Sequence, residues 1–183
     1  MQHPYCAYIA TIIDRDDVDK IYHDTAYGVR ILDDNELFCR LVMEINQAGL
    51  SWHTILVKEK NFRNAYHNFT IKKVANYEEQ DFVRLMSDAG IIRNRLKINA
   101  AIHNAQQLLQ IQKEHGSFLM WIDTHALEIG QDKKEWVKLF KKHFKFVGGE
   151  IVGEFLMSIG ILDGAHGEEC ERYRQLTKKM IRH

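Results

Sequence analysis

Apolar positions along this chain recur at three- and four-residue steps, the period of an amphipathic helix. The clearest run begins at Asp33. With Glu36 three residues on, it has the form of a capping box, so a helix is predicted to start near Asp34. Leu37, Leu41, Glu44 and Ala48 then fall on one line, with Phe38, Val42 and Ile45 beside them. That stripe faces a core and carries Glu44 into it. Gly49 suits the position after a helix end, where φ turns positive. Ser51 suits the cap of a following helix, with Trp52 in its first turn. Residues 34–48 and 51–68 are thus predicted as consecutive helices, the second turning Ile55, Phe62, Ala65, Tyr66 and Phe69 inward.

The same spacing predicts a short helix over Val18 to Asp24, a turn at Tyr27-Gly28, and a Thr70-capped helix to Ala75. Another runs from Glu78 to Asp88 with Phe82, Val83, Leu85 and Met86 inward. A long helix follows Gly90 and ends near His115, before Gly116. Further pieces cover Phe118 to Ile122, a segment capped by Asp132 with Trp136, Val137, Leu139 and Phe140, Gly149 to Ile159, and a charged tail from Glu168. Met1 to Val18 has little periodicity and is predicted as an irregular arm. The outcome is an all-α fold in a single domain over residues 1–183, without repeats or linkers.

Composition narrows the class. Apolar residues make up 45% and charged residues 27%, with one proline, Pro4, which agrees with a helical globular chain. The formal net charge is zero, so overall charge demands no nucleic-acid partner, while a local basic face remains open. No apolar run approaches a membrane span and the N-terminus is not a secretory signal, so cytoplasmic residence is expected, with no membrane and no protein partner implied. Three widely spaced cysteines make a disulfide framework unsuited, leaving metal ligation or burial.

Three groups of residues carry candidate chemistry. Glu44 on an apolar face is either a hydrogen-bonded structural acid or one put to use, since an unpaired buried carboxylate is costly. The segment 88–98 is a hairpin between helices. Its second helix start offers backbone N–H donors at Gly90 and Ile91 and side-chain charge at Arg93, Arg95 and Lys97, which suits a phosphate; a solvated basic connection is the plainer reading. The lysines from Lys133 to Lys145 read equally well as a solvated face. His166 and Cys170 stand four apart and can share one metal, with Cys6 and His23 as the other ligands of a tetrahedral site joining the N- and C-terminal segments. His53, His67, His103, His115 and His125 form no ligand-like set. Phosphate-binding glycine loops, nucleophile elbows and His-Glu-x-x-His are absent.

Together these segments resemble a known family. Tyr22-His23-Asp24-x-x-Tyr27-Gly28, Glu44-x-x-Gln47-Ala48-Gly49-Leu50-Ser51-Trp52, Ala89-Gly90-Ile91-Ile92-Arg93-x-Arg95-x-Lys97-Ile98, Phe144-Lys145-Phe146-Val147-Gly148 and His166-x-x-x-Cys170 are similar to bacterial 3-methyladenine DNA glycosylase I. The likeness runs from about Cys6 to Cys170, in the family's order. It implies a helix-hairpin-helix DNA glycosylase fold, a zinc clip from residues 6–23 and 166–170, and monofunctional excision of N3-methyladenine from double-stranded alkylated DNA in base-excision repair. By position, Glu44 would bond the flipped base and Tyr22 and Trp52 would wall it, with Tyr27 and Tyr8 completing the pocket. Gly90, Ile91, Arg93, Arg95 and Lys97 would hold the DNA backbone. Cys6, His23, His166 and Cys170 would bind one structural zinc.

The chain departs from the family's pattern at the pocket rim. Tyr8 and Tyr27 stand where Trp is usual, Ala26 where Glu is, Asp19 where a Tyr is common, and Asn46 where a Gln is. These departures bear on base preference and catalytic strength more than on fold. They leave a second reading, a non-catalytic relative that binds damaged or flipped bases, and a third, a helical zinc hydrolase for a small molecule. The third needs an open metal position.

Overall fold

Helix α3 (Asp34–Gln47) is the strut on which the others are laid. The computed structural model describes residues 3–180, with nothing to be said of the side chains of 178–180. The helices are α1 (Pro4–Ala10), α2 (Val18–Thr25), α3, α4 (Trp52–Ala65), α5 (Ile71–Ala75), α6 (Glu79–Ser87), α7 (Arg95–His115), α8 (Phe118–Ile129), α9 (Lys133–His143), α10 (Gly149–Ser158) and α11 (Glu171–Met180). No strand occurs among the described residues, and none of their helices is long and apolar enough to cross a membrane.

The apolar line predicted on α3 is in fact a nearly complete sheath. Leu37, Phe38, Cys39, Leu41, Val42, Met43, Ile45, Glu44 and Asn46 are all buried, because α4, α5, α7, α8 and α10 pack around the helix. Its start is as expected, with Asp33 accepting the Glu36 N–H at 3.0 Å. The reciprocal half of the capping box is not made. The Glu36 carboxylate instead takes a two-pronged bond from Arg63 at 2.7 and 2.8 Å, tying α3 to α4. Asp34, the first helical residue, accepts from the N–H groups of Phe118 and Leu119 and from Gln112, so α3 also caps α8.

Several expectations need correcting. The N-terminal arm contains α1, where Pro4 supplies a pre-set φ at the helix start and Cys6 and Ile9 face inward three apart. The helix after Trp52 stops at Ala65, and positive φ values at His67, Asn68 and Phe69 reverse the chain. The helix begun at Phe118 continues past Ile122 to Ile129, since no breaker intervenes before Gly130. Val83 faces solvent, at 54% exposure.

The connection between α6 and α7 also differs in detail. Leu96 and Lys97, whose N–H groups open α7, donate to the Asn94 side chain at 3.0 and 3.2 Å, and the Gly90 N–H goes to Asp88 at 2.7 Å. Ile91 is a core residue and its N–H points to the Asp88 carbonyl. Lys97 is not a free phosphate ligand. It is 5% exposed, and its ammonium donates at 2.8 Å to the carbonyls of both Asn46 and Ala48, the last turn of α3. Those are carbonyls that a helix end leaves without partners. Lys97→Met is therefore expected to cost about 1–3 kcal/mol of stability in urea denaturation while leaving the salt dependence of any DNA binding unchanged. A reduced salt slope at unchanged stability would contradict this placement.

Candidate active site and metal cluster

The C-terminal end of α3 opens into a cavity of about 580 Å³. Glu44 forms part of its floor. Its side chain enters because the helix phase that buries Leu37 and Leu41 also buries position 44. Glu44 is 5% exposed and makes no hydrogen bond to any described residue. Burial is the main cause that pushes its pKa up from the ordinary 4.5 to about 8. The Arg40 guanidinium one turn back works against that shift, and the Glu154 carboxylate adds to it.

Four aromatic rings stand around this acid. Trp52, at the start of α4, is placed by the turn at Gly49, whose φ of 84° is the left-handed value expected there, and by Ser51, which caps α4 through the Thr54 N–H. Tyr22 of α2 lies 5.2 Å from Trp52 between ring centres, and Tyr27 lies 5.6 Å from Tyr22. Tyr5 meets Tyr27 edge-on at 5.5 Å. Arg40 holds Tyr22 from behind, donating to its hydroxyl at 2.8 Å with the guanidinium 4.8 Å from the ring centre. Burial raises the Tyr22 and Tyr27 hydroxyls well above the usual range, so both are neutral donors at any working pH.

The cavity brings together Glu44, Tyr22, Tyr27 and Trp52 from the sequence reading, but not Tyr8. Tyr8 is 50% exposed and stacks on the outside of Tyr5 at 6.4 Å. Because the arm is a helix, the residue one turn earlier, Tyr5, supplies the wall. Glu150 and Glu154 of α10 complete the acidic side, neither of them foreseen. A signal was present: Glu154, like Glu44, is an acid within an apolar helical run. Asp19, one of the departures, is buried and lies 2.5 Å from His53, clamping α2 to α4. His53 is thus part of a group after all, since Asp17, Asp19 and His53 bring donor atoms within 4.8 Å of one another. Asp17, however, is engaged in capping α2.

Cys6, His23, His166 and Cys170 converge next to the cavity, their donor atoms within 4.8 Å of one another, as a group that could hold a metal ion. His23 Nε2 is 3.2 Å from His166 Nδ1, 3.4 Å from Cys6 Sγ and 3.7 Å from Cys170 Sγ. His166 Nδ1 is 3.8 Å from each sulfur. Ideal tetrahedral bonds to zinc give about 3.3 Å between two nitrogens and about 3.6 Å between nitrogen and sulfur. The other ring nitrogens face acceptors, Asp24 at 2.7 Å and the Tyr27 carbonyl at 2.9 Å. Each of those nitrogens therefore carries the proton, and both free lone pairs point into the cluster.

A helical protein that sets a buried acid among clustered aromatic rings is suited to grip a flat, electron-poor group. Comparison with known proteins makes the class specific. The chain belongs to the methyladenine glycosylase family, whose model matches residues 12–138. It is 37% identical over 158 residues to DNA-3-methyladenine glycosylase 1 of Escherichia coli strain K12, covering 78% of this chain and 84% of that one. A relative from Haemophilus influenzae, DNA-3-methyladenine glycosylase, is 33% identical over 165 residues, covering 81% and 89%. The solved structure of 3-methyladenine DNA glycosylase I from Staphylococcus aureus superposes with a TM-score of 0.80 at 31% identity, covering 94% of this chain and 97% of that one.

The desolvated Glu44 has a consequence for stability. The folded protein holds this proton more tightly than the unfolded chain, so stability falls as pH rises from about 4.5 to about 8. Glu44→Gln removes that loss. The variant is expected to match the wild type near pH 4.5 and to be more stable by roughly 2–4 kcal/mol near pH 8.5. Parallel denaturation profiles across that range would show that the carboxyl is not desolvated.

Proposed function

We propose that this chain is a monofunctional DNA glycosylase that hydrolyses the N-glycosidic bond of N3-methyladenine in alkylated double-stranded DNA. The observation that carries the reading is Glu44, a buried carboxylate with no partner in an aromatic-walled cavity, in a chain of this family. N3-methyladenine is cationic and its glycosidic bond is already weak. Burial keeps Glu44 protonated below about pH 8 in the empty cavity; beside the cationic base it ionises, accepts from the exocyclic amine, and its negative charge then favours the lesion over neutral adenine. Tyr22, Tyr27, Trp52 and Tyr5 stack on the positively charged ring. The protein chiefly orients and holds the nucleotide while water attacks the sugar. No side chain is assigned to activate that water.

The connection between α6 and α7 reads as the hairpin of a helix-hairpin-helix motif. Arg93 and Arg95 are exposed there and available to phosphates, in contrast to Lys97. Leu50, an apolar side chain 38% exposed on the turn between α3 and α4, suits the space that an extruded nucleotide leaves. The Cys6, His23, His166 and Cys170 cluster reads as a structural zinc clip. Its donor types, spacings and oriented histidines fit the ion, and four protein ligands close the site to substrate. That closure disfavours a zinc hydrolase. The whole described chain then acts as one glycosylase domain.

Release of 3-methyladenine from methylated DNA under single-turnover conditions tests the reading. Glu44→Gln is expected to slow release by about 10²-fold, the loss of a charge-assisted hydrogen bond to the base. Wild-type protein that binds methylated DNA and releases nothing would leave the binding-only reading in its place. Arg93→Ala and Arg95→Ala are each expected to lower the salt slope of DNA binding by about one. Metal analysis of the purified protein is expected to find about one zinc per chain, held by the four cluster residues. Metal-free protein of full stability would remove the clip.

A further inference from the structure

The cavity contains a second inner carboxylate that the reading above leaves unused. Glu154 projects from α10 into the same space as Glu44. The Tyr27 hydroxyl donates to its Oε2 at 3.2 Å, and among the described residues no lysine or arginine pairs with it. Glu150, one turn earlier, is different. It lies at the rim, 90% exposed, and is matched by Lys133 at 3.3 Å. The outer acid is therefore neutralised and the inner one is not. The rest of α10 is apolar, with Val152, Phe155 and Leu156 buried, so Glu154 is not explained as a solvated face. It also lies beyond residues 12–138, the stretch the family model covers.

Anchoring Tyr27 does not require a charge. A glutamine oxygen accepts a phenol hydrogen bond equally well, without setting a charge beside the buried acid. A Glu154 carboxylate in the same cavity opposes the ionisation of Glu44. That cost is recovered only when a cation enters between them. Building on the glycosylase reading, we propose that Glu154 is a second base-recognition carboxylate. It faces the extruded base from α10 while Glu44 faces it from α3, and it selects for a purine bearing a full positive charge. A neutral adenine gains nothing from the second carboxylate and must tolerate its field.

The titratable groups around Glu44 are Arg40 on its own helix, Glu154 and Glu150 on α10, Tyr22 on α2, Tyr27 after it, Tyr5 on α1 and His3 just before it. Of these, Glu154 is the anion that makes the Glu44 proton harder to remove. Removing it lets Glu44 ionise at lower pH.

The test uses the full chain and two probes read by tryptophan fluorescence: 3,9-dimethyladeninium, a permanent cation, and neutral 9-methyladenine. Glu154→Gln is expected to weaken the cation by about tenfold and leave the neutral purine unchanged. The acidic limb of kcat/KM for base release shifts to lower pH in the same variant. Glu154→Asp, which keeps the charge, recovers most of the cation preference and reports on folding. Equal loss for both probes, or no loss for the cation, overturns the role given to Glu154. Wild-type protein that shows the cation preference but releases no base from methylated DNA overturns the glycosylase reading and leaves this selectivity standing.

Discussion

Everything in this structure that bears on function depends on keeping one carboxyl group buried and unpaired. Glu44 sits on the most buried helix of the fold, and α4 and α10 pack against that helix. A chain selected for stability alone would place an apolar residue there or supply a hydrogen-bond partner, because a desolvated acid weakens the folded state. The surroundings instead restrain the penalty without removing it. Arg40 lies a turn away and is spent largely on Tyr22, and no described donor reaches the carboxylate. An unsatisfied acceptor of this kind is a binding site awaiting a donor and a positive charge.

Holding that acid in place requires the end of α3 to be firm where the chain turns. Lys97 performs this from the neighbouring helix. Its ammonium joins the carbonyls of Asn46 and Ala48 just before Gly49, so the turn that aims Trp52 is fixed from beneath. The helix carrying Lys97 is the second helix of the connection proposed to meet DNA. The backbone contact and the base cavity are thus linked through one buried side chain, and a displacement of the hairpin would be felt at Glu44 and Trp52.

Much of this was legible in the sequence, for physical reasons. The three- and four-residue spacing around Leu37, Leu41 and Glu44 determines which side of a helix is buried, and Ser51 and Gly49 mark its boundaries through backbone chemistry local to those residues. The four side chains of the cluster that could hold a metal are legible through residue type and the four-residue spacing of His166 and Cys170. What escaped depends on contacts between distant segments. Tyr5 takes the wall expected of Tyr8 because a seven-residue helix is too short to show a period, and its rotation decides which tyrosine faces inward. Lys97 looks like a phosphate ligand in a run with Arg93 and Arg95 until the carbonyls of residues 46 and 48 are seen beside it. Glu154 is one acid among 25 acidic residues until the fold turns it toward Glu44.

The cavity and the metal cluster share a wall. Tyr22 and His23 are adjacent on α2, so one lines the cavity while the other turns its nitrogen to the cluster. Tyr27 faces the cavity with its ring, and its carbonyl accepts from His166. Gly28 follows, its N–H bonded to the Ser158 carbonyl at the end of α10, with positive φ. A Cβ at Gly28 would come within 2.9 Å of Ala165 and 3.3 Å of the His166 ring, so the segment can approach the cluster this closely only as glycine. The first and last parts of the described chain have little core of their own, and they meet here through the four Cys and His side chains of the cluster instead of a large apolar contact. An ion in that cluster would therefore do more than join the two segments. By fixing His23 and His166 it would fix the backbone on which Tyr22 and Tyr27 are mounted, and with Tyr27 the carboxylate of Glu154. On the proposed reading, the rigidity with which an aromatic wall and two acids discriminate a charged ring from a neutral one would then originate outside the cavity, in the metal cluster.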